Sequence, residues 1–139
     1  MATLLIVDDD INVRETLRAL LMDNHECHTA DRAEQALAFL EFENYDVILT
    51  DLAMPGLSGR ELLEHVKKRQ PGTPVIVISG MGSDKENELR ELGAFAYFAK
   101  PFQLEDIEEA VTRAVNSRTR EPGKSGPADA ESAESSDGS

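Results

Sequence analysis

The chain of 139 residues has no tryptophan, a single cysteine and only 5% aromatic residues. One cysteine, Cys27, excludes an internal disulfide and fits a reducing compartment, so stability has to come from an aliphatic core. Basic residues are scarce too: 14 Lys and Arg stand against 27 Asp and Glu, a formal net charge of −13. A field of that sign repels a phosphate backbone, and direct nucleic-acid binding is not expected. Long apolar runs are also missing. None approaches a membrane span, and the N-terminal run is cut at Asp8, with no basic flank, too early for a signal peptide. Together these absences predict a soluble cytoplasmic protein with one core, which a chain of this length can fill.

What is present is a set of short apolar runs, each ending in a residue capable of chemistry. Leu4-Leu5-Ile6-Val7 runs into Asp8-Asp9-Asp10, and Val47-Ile48-Leu49-Thr50 into Asp51. Val75-Ile76-Val77-Ile78 stops at Ser79, and Phe95-Ala96-Tyr97-Phe98-Ala99 at Lys100-Pro101. Near-continuous runs of this kind read as strands buried on both faces of a parallel sheet. Ligands of such sheets sit beyond the carboxyl ends of the strands. Three carboxylates, a hydroxyl and an ammonium are therefore predicted to converge. Carboxylates so close call for a hard cation, and the lysine opposite them suits an anion such as phosphate.

Between these runs lie segments with helical spacing. Val13, Leu17, Leu20 and Leu21 form one apolar stripe, with Asp10 as the expected helix cap. Ala33, Ala36, Leu37 and Leu40 form another after Asp31, also read as a cap, with Glu34 three residues on. Ser58 to Glu61 has capping-box spacing ahead of Leu62, Leu63 and Val66, and Pro71-Gly72 stops that helix. A box at Ser83 to Glu86 opens a helix with only Leu89 and Leu92 as anchors, so weak docking is expected. The last helix carries Leu104, Ile107, Val111, Ala114 and Val115. With a further strand near Glu26 to Ala30, the order is βα five times over. Short connections and right-handed crossovers predict an α/β fold, a doubly wound parallel sheet with strand order 2-1-3-4-5, flavodoxin-like. This domain spans residues 1–117. Residues 118–139, rich in Ser, Gly, Pro, Ala and acids, cannot bury enough surface to order and are expected to form a disordered tail.

The motifs resemble those of the response-regulator receiver family, the phosphorylatable half of two-component signalling. Leu5-Ile6-Val7-Asp8-Asp9-Asp10 matches its acidic motif, and Asp51 to Gly59 its D-x-x-M-P-x-x-x-G motif. Val77-Ile78-Ser79-Gly80 matches the hydroxyl motif and Lys100-Pro101-Phe102 the lysine motif. The resemblance implies that Asp51 accepts a phosphoryl group from a kinase phosphohistidine. Asp8, Asp9, Asp51 and the backbone carbonyl of Ala53 would hold Mg²⁺, with Mn²⁺ as a substitute. Lys100 and Ser79 would contact the phosphoryl oxygens, and the Lys100–Pro101 bond would be cis. Tyr97 would act with Ser79 as a switch, exposing an output surface made by the fourth helix, fifth strand and fifth helix. The implied partners are a sensor histidine kinase or phosphotransfer protein and a downstream protein target. The chain itself would be a monomer, or a dimer promoted by phosphorylation, and not an enzyme beyond its own labelling and hydrolysis.

Other readings fare less well on the same residues. A haloacid-dehalogenase-type phosphohydrolase also uses a strand-end Asp, a hydroxyl, a Lys and Mg²⁺. It needs Thr or Val where Asn12 stands, and an acidic pair on a strand where Glu105-Asp106 opens a helix. A calcium loop from Asp8 fails because Val13 replaces its glycine and Ala19 its closing Glu. A receiver-like module that never uses phosphate is countered only by the intact acidic site. His25, His28 and His65 have no ligand spacing. Tyr97 has a plainer alternative as a half-exposed edge aromatic, and Cys27 reads as a small half-buried residue. The resemblance implies that Ala53 and Met81 would flank the route of a hydrolytic water, and neither can orient one by hydrogen bonding, so a long-lived aspartyl phosphate is expected.

Overall fold

The computed structural model describes residues 2–52, 56, 58–80 and 86–119. In chain order the described elements are β1 (Ala2–Val7), α1 (Ile11–Leu21), β2 (His25–Ala30), α2 (Ala33–Phe42) and β3 (Val47–Thr50). There follow α3 (Gly59–Arg69), β4 (Val75–Ser79), α4 (Glu86–Glu91), β5 (Ala96–Ala99) and α5 (Leu104–Thr119). The strands form one sheet in the order β2-β1-β3-β4-β5, every pair parallel. This is the expected flavodoxin-like topology.

The sheet is covered on both faces, which explains why its strands are apolar without alternation. Successive side chains point to opposite faces. Leu4, Ile6, Val47, Leu49, Ile76 and Ile78 therefore pack with Leu17 and Leu21 of α1 and with Ile107, Ala110, Val111 and Ala114 of α5. The intervening residues Leu5, Val7, Ile48, Val75 and Val77 pack with Ala33 and Ala36 of α2, Leu62, Leu63 and Val66 of α3, and Leu89 of α4. Only β2 departs from the pattern: its His-Glu-Cys-His-Thr-Ala is largely half-buried, as befits a polar edge strand.

The helix starts follow the sequence in two of the three described cases. Asp10 caps α1, its side chain accepting the Asn12 N–H at 2.8 Å. Ser58 and Glu61 form the expected capping box on α3. Asp31 does not cap α2. The N-cap is Arg32, which makes no side-chain cap bond, while the Asp31 carboxylate accepts Arg32 Nε at 3.1 Å. Asp31 lies one residue too far from the helix, and a charge-assisted bond to its neighbour is available instead. Leu104, expected among the apolar anchors of α5, is 41% exposed as the first residue of that helix; the buried stripe begins at Ile107. Helix α5 runs to Thr119, two residues past the expected domain boundary, and the rest of the expected tail lies outside the described residues. The expected capping box at Ser83 lies outside them as well.

Candidate functional site

Register brings the candidate residues together. Val7 pairs with Thr50 across β1 and β3, so the next residues, Asp8 and Asp51, emerge side by side. Ser79 pairs with Ala99 across β4 and β5, which places Lys100 next in line. Backbone bonds continue past the strand ends. Asp51 N–H donates to the Val7 carbonyl at 3.0 Å, Asp8 N–H to Ala30 at 3.1 Å, and Lys100 N–H to Ser79 at 2.8 Å. The sheet thus fixes the peptides that lead into Asp8, Asp51 and Lys100. The Lys100–Pro101 peptide is cis.

The side chains meet around one ammonium. Lys100 Nζ donates to Asp8 Oδ2 at 2.9 Å and to Asp51 Oδ2 at 3.1 Å. Asp8 Oδ1 accepts the Asp10 N–H at 2.9 Å. Asp8, Asp51 and Ser79 are all buried, whereas Asp9 is exposed at the mouth. Burial pushes the Asp8 carboxyl above the usual range, opposed by the Asp10 N–H and by Lys100. Burial also works against the Lys100 ammonium, but its bonds to Asp8 and Asp51 win and hold its pKa above the ordinary lysine value. The lysine is therefore firmly charged.

One carboxylate oxygen each from Asp8, Asp9 and Asp51 lie within 4.8 Å of one another. Three carboxylates against one ammonium leave an excess of negative charge, and all three donors are hard oxygens. The set therefore fits a divalent cation of the Mg²⁺ type. The Ala53 carbonyl, the remaining expected ligand, lies outside the described residues, as does Met81. Tyr97 is buried, 8% exposed, in the cluster that holds Leu89 of α4, so the half-exposed edge reading does not hold. The histidines lie elsewhere. His28 bonds Tyr45 Oη and Glu26, each at 2.7 Å, His25 Nδ1 accepts the Ala2 N–H, and His65 lies beside Arg69. A cavity of about 550 Å³ opens beside Asp9, lined also by Asp31, Arg32, Glu34 and Gly56.

Two further residues matter here. Gly59, the first residue of α3, donates its N–H to the Leu52 carbonyl at 3.0 Å. A Cβ at Gly59 would stand 1.8 Å from the Asp51 carbonyl oxygen. Only glycine lets α3 start so close to the end of β3. Its signal in the sequence is its place as the closing glycine of the motif that begins at Asp51, at a helix start where glycine costs propensity and needs another reason. The second is Arg14, whose Nη1 donates to the Asp8 carbonyl at 2.7 Å. A contact to a backbone oxygen six residues back leaves no sequence signature.

The fold and site together define an open parallel α/β sheet with a lysine-braced acidic cup at its carboxyl edge, an arrangement with the charge to suit a divalent cation and a phosphoryl group. Comparison with known proteins narrows this. The family model of the response regulator receiver domain matches residues 4–112. The transcriptional regulator NtrC of Salmonella typhimurium is 36% identical over 113 residues, 80% of this chain and 24% of that protein. Sporulation initiation phosphotransferase F of Bacillus subtilis is 34% identical over 112 residues, covering 79% of this chain and 90% of that protein. The crystal structure of response regulator protein TrrA from Thermotoga maritima, in complex with Mg(2+)-BeF, superimposes with a TM-score of 0.74 at 31% identity. It covers 82% of this chain and 99% of that one. The chain belongs to the response regulator receiver domain family of two-component systems. The dehalogenase alternative has no support left. The chain spans about a quarter of the length of the NtrC protein it matches. No helix among the described residues is long and apolar enough to cross a membrane.

Proposed function

We propose that Asp51 is the phosphoacceptor of this receiver domain and that the donor is a phosphohistidine on a sensor histidine kinase or phosphotransfer protein. The observation that carries this reading is the convergence of Asp8, Asp9 and Asp51 within 4.8 Å, with the Lys100 ammonium 3.1 Å from Asp51 Oδ2. In the transfer, an Asp51 carboxylate oxygen forms a bond to phosphorus as the imidazole N–P bond breaks, and the imidazole leaves. The protein contributes positioning and charge neutralisation, which dominate phosphoryl transfer. Lys100 faces the growing charge on the phosphoryl oxygens, and the buried Ser79 hydroxyl donates to one of them. Asp8, Asp9, Asp51 and the Ala53 carbonyl would hold Mg²⁺, or Mn²⁺ in its place, which when bound supplies further neutralisation of the phosphoryl oxygens.

Loss of the Ser79 hydroxyl's resting position gives Tyr97 its switch role, and the face formed by α4, β5 and α5 is the output surface for a downstream protein. The chain works in the cytoplasm through protein partners, without contacting nucleic acid or membrane itself, as a monomer or as a dimer promoted by phosphorylation. The sequence has Ala53 and Met81 two residues after Asp51 and Ser79, and neither side chain can hydrogen-bond a hydrolytic water, so the acyl phosphate is long-lived. Intact-mass analysis after acetyl phosphate and Mg²⁺ tests the site. One phosphoryl adduct is expected on the parent chain and none on Asp51→Asn; an adduct on both, or on neither, overturns the assignment.

A further inference from the structure

We propose that Arg14 is a positioning residue that tunes the divalent-cation affinity of the acidic cluster, acting through the peptide that joins Asp8 to Asp9. This rests on the reading of that cluster as a cation site. Arg14 lies one turn into α1 and is half-buried. Its Nη1 reaches back to the Asp8 carbonyl at 2.7 Å, the shortest tie between α1 and the end of β1 that the described residues show. That carbonyl stands just beyond the last β1 ladder residue, Val7, where the sheet no longer dictates the peptide plane.

The two acids flanking this peptide are held differently. The Asp8 carboxylate is buried and fixed by the Asp10 N–H and by Lys100. The Asp9 carboxylate is exposed, so its direction comes from the backbone that carries it. Turning the Asp8–Asp9 peptide would swing Asp9 out of reach of the other two oxygens. The Asp31 carboxyl on the β2–α2 connection is kept below its ordinary pKa chiefly by its bond to Arg32, with a smaller contribution from the charge of Arg14.

Charge and positioning predict opposite signs. A guanidinium near a cation site repels the cation, so electrostatics alone makes its removal tighten binding. Positioning makes removal weaken it, as with other outer partners that orient metal ligands. The experiment is calorimetric titration of the folded chain with Mg²⁺, comparing the parent with Arg14→Met, Arg14→Lys and Arg18→Ala. Arg14→Met keeps the apolar stem and removes the donor, and its Kd should rise about tenfold. Arg14→Lys should recover part of that loss. Arg18→Ala removes the same charge from the same helix, at an exposed residue paired only loosely with Glu15 at 3.9 Å, and should not weaken binding. At saturating Mg²⁺ the acetyl phosphate labelling rate of Arg14→Met should return to the parent value, a split between affinity and rate that general destabilisation would not produce. Parent-like or tighter binding by Arg14→Met overturns this inference alone. Absence of Mg²⁺ binding by the parent removes the cation reading itself and this inference with it. If Arg14→Met fails to fold, Arg14→Lys decides: an intermediate loss supports the role and an unchanged Kd overturns it.

Discussion

At Gly59 a methyl group would stand 1.8 Å from the Asp51 carbonyl oxygen and 2.9 Å from Leu52 Cα, both backbone atoms with nowhere to go. Gly59→Ala must push α3 away from the end of β3 and tilt the peptide of Asp51, the proposed phosphoacceptor. A loss of about 1–3 kcal/mol is expected from such overpacking, measured by denaturant unfolding, together with slower acetyl phosphate labelling. At this scale the sequence was informative where a side chain ends a strand. Asp8, Asp51, Ser79 and Lys100 each follow an apolar run, and the ladder leaves them no other place to emerge. Gly59 was legible as the closing glycine of the Asp51 motif but its steric reason was not, and Arg14 was not legible at all, because each acts on a backbone carbonyl and such contacts depend on the folded path of the chain.

Among the elements, α4 is the least secured. It has six residues, and of its described side chains only Leu89 is buried. Its Glu88 is bonded to Arg60 of α3, which also lies 3.8 Å from Glu64. An exposed ion pair of this kind contributes at most about 1 kcal/mol. That is enough to bias a weakly docked helix about fivefold, and under the proposed switch this bias reaches Asp51. Arg60→Ala should therefore speed acetyl phosphate labelling by up to about fivefold, and Arg60→Glu combined with Glu88→Arg should restore the parent rate. Unchanged labelling in Arg60→Ala would show that the pair does not restrain the switch. Element order and topology were readable from four short apolar runs and one polar strand-like segment, Glu26 to Ala30, alternating with helical stripes. The start of α2 was misjudged because an Asp followed by Arg has a partner closer than the helix N–H groups.

For the molecule as a whole, the sheet separates two apolar clusters, one under α1 and α5 and the other under α2, α3 and α4. The strands read as doubly buried from sequence because both parities of each run are apolar. Into this aliphatic body the fold sinks the carboxylates of Asp8 and Asp51, in a chain with a net charge of −13. A divalent cation that binds only the folded state should stabilise it by about 2.7 kcal/mol at a hundred times its Kd. Thermal unfolding with Mg²⁺ should show a higher Tm that a chelator reverses, and Asp9→Asn should lose most of the gain. An equal gain in Asp9→Asn would place the cation elsewhere. Partners lay beyond what composition could name, since an acidic surface excludes classes of ligand without selecting one.

Lys100 belongs to the outermost strand's end, yet its ammonium rests on carboxylates that follow two inner strands, β1 and β3. It works as a tether drawn across β4 from the rim of the sheet toward its middle. An anion added to Asp51 pulls on that tether directly, so news of the added charge reaches the far border of the sheet in a single mechanical step.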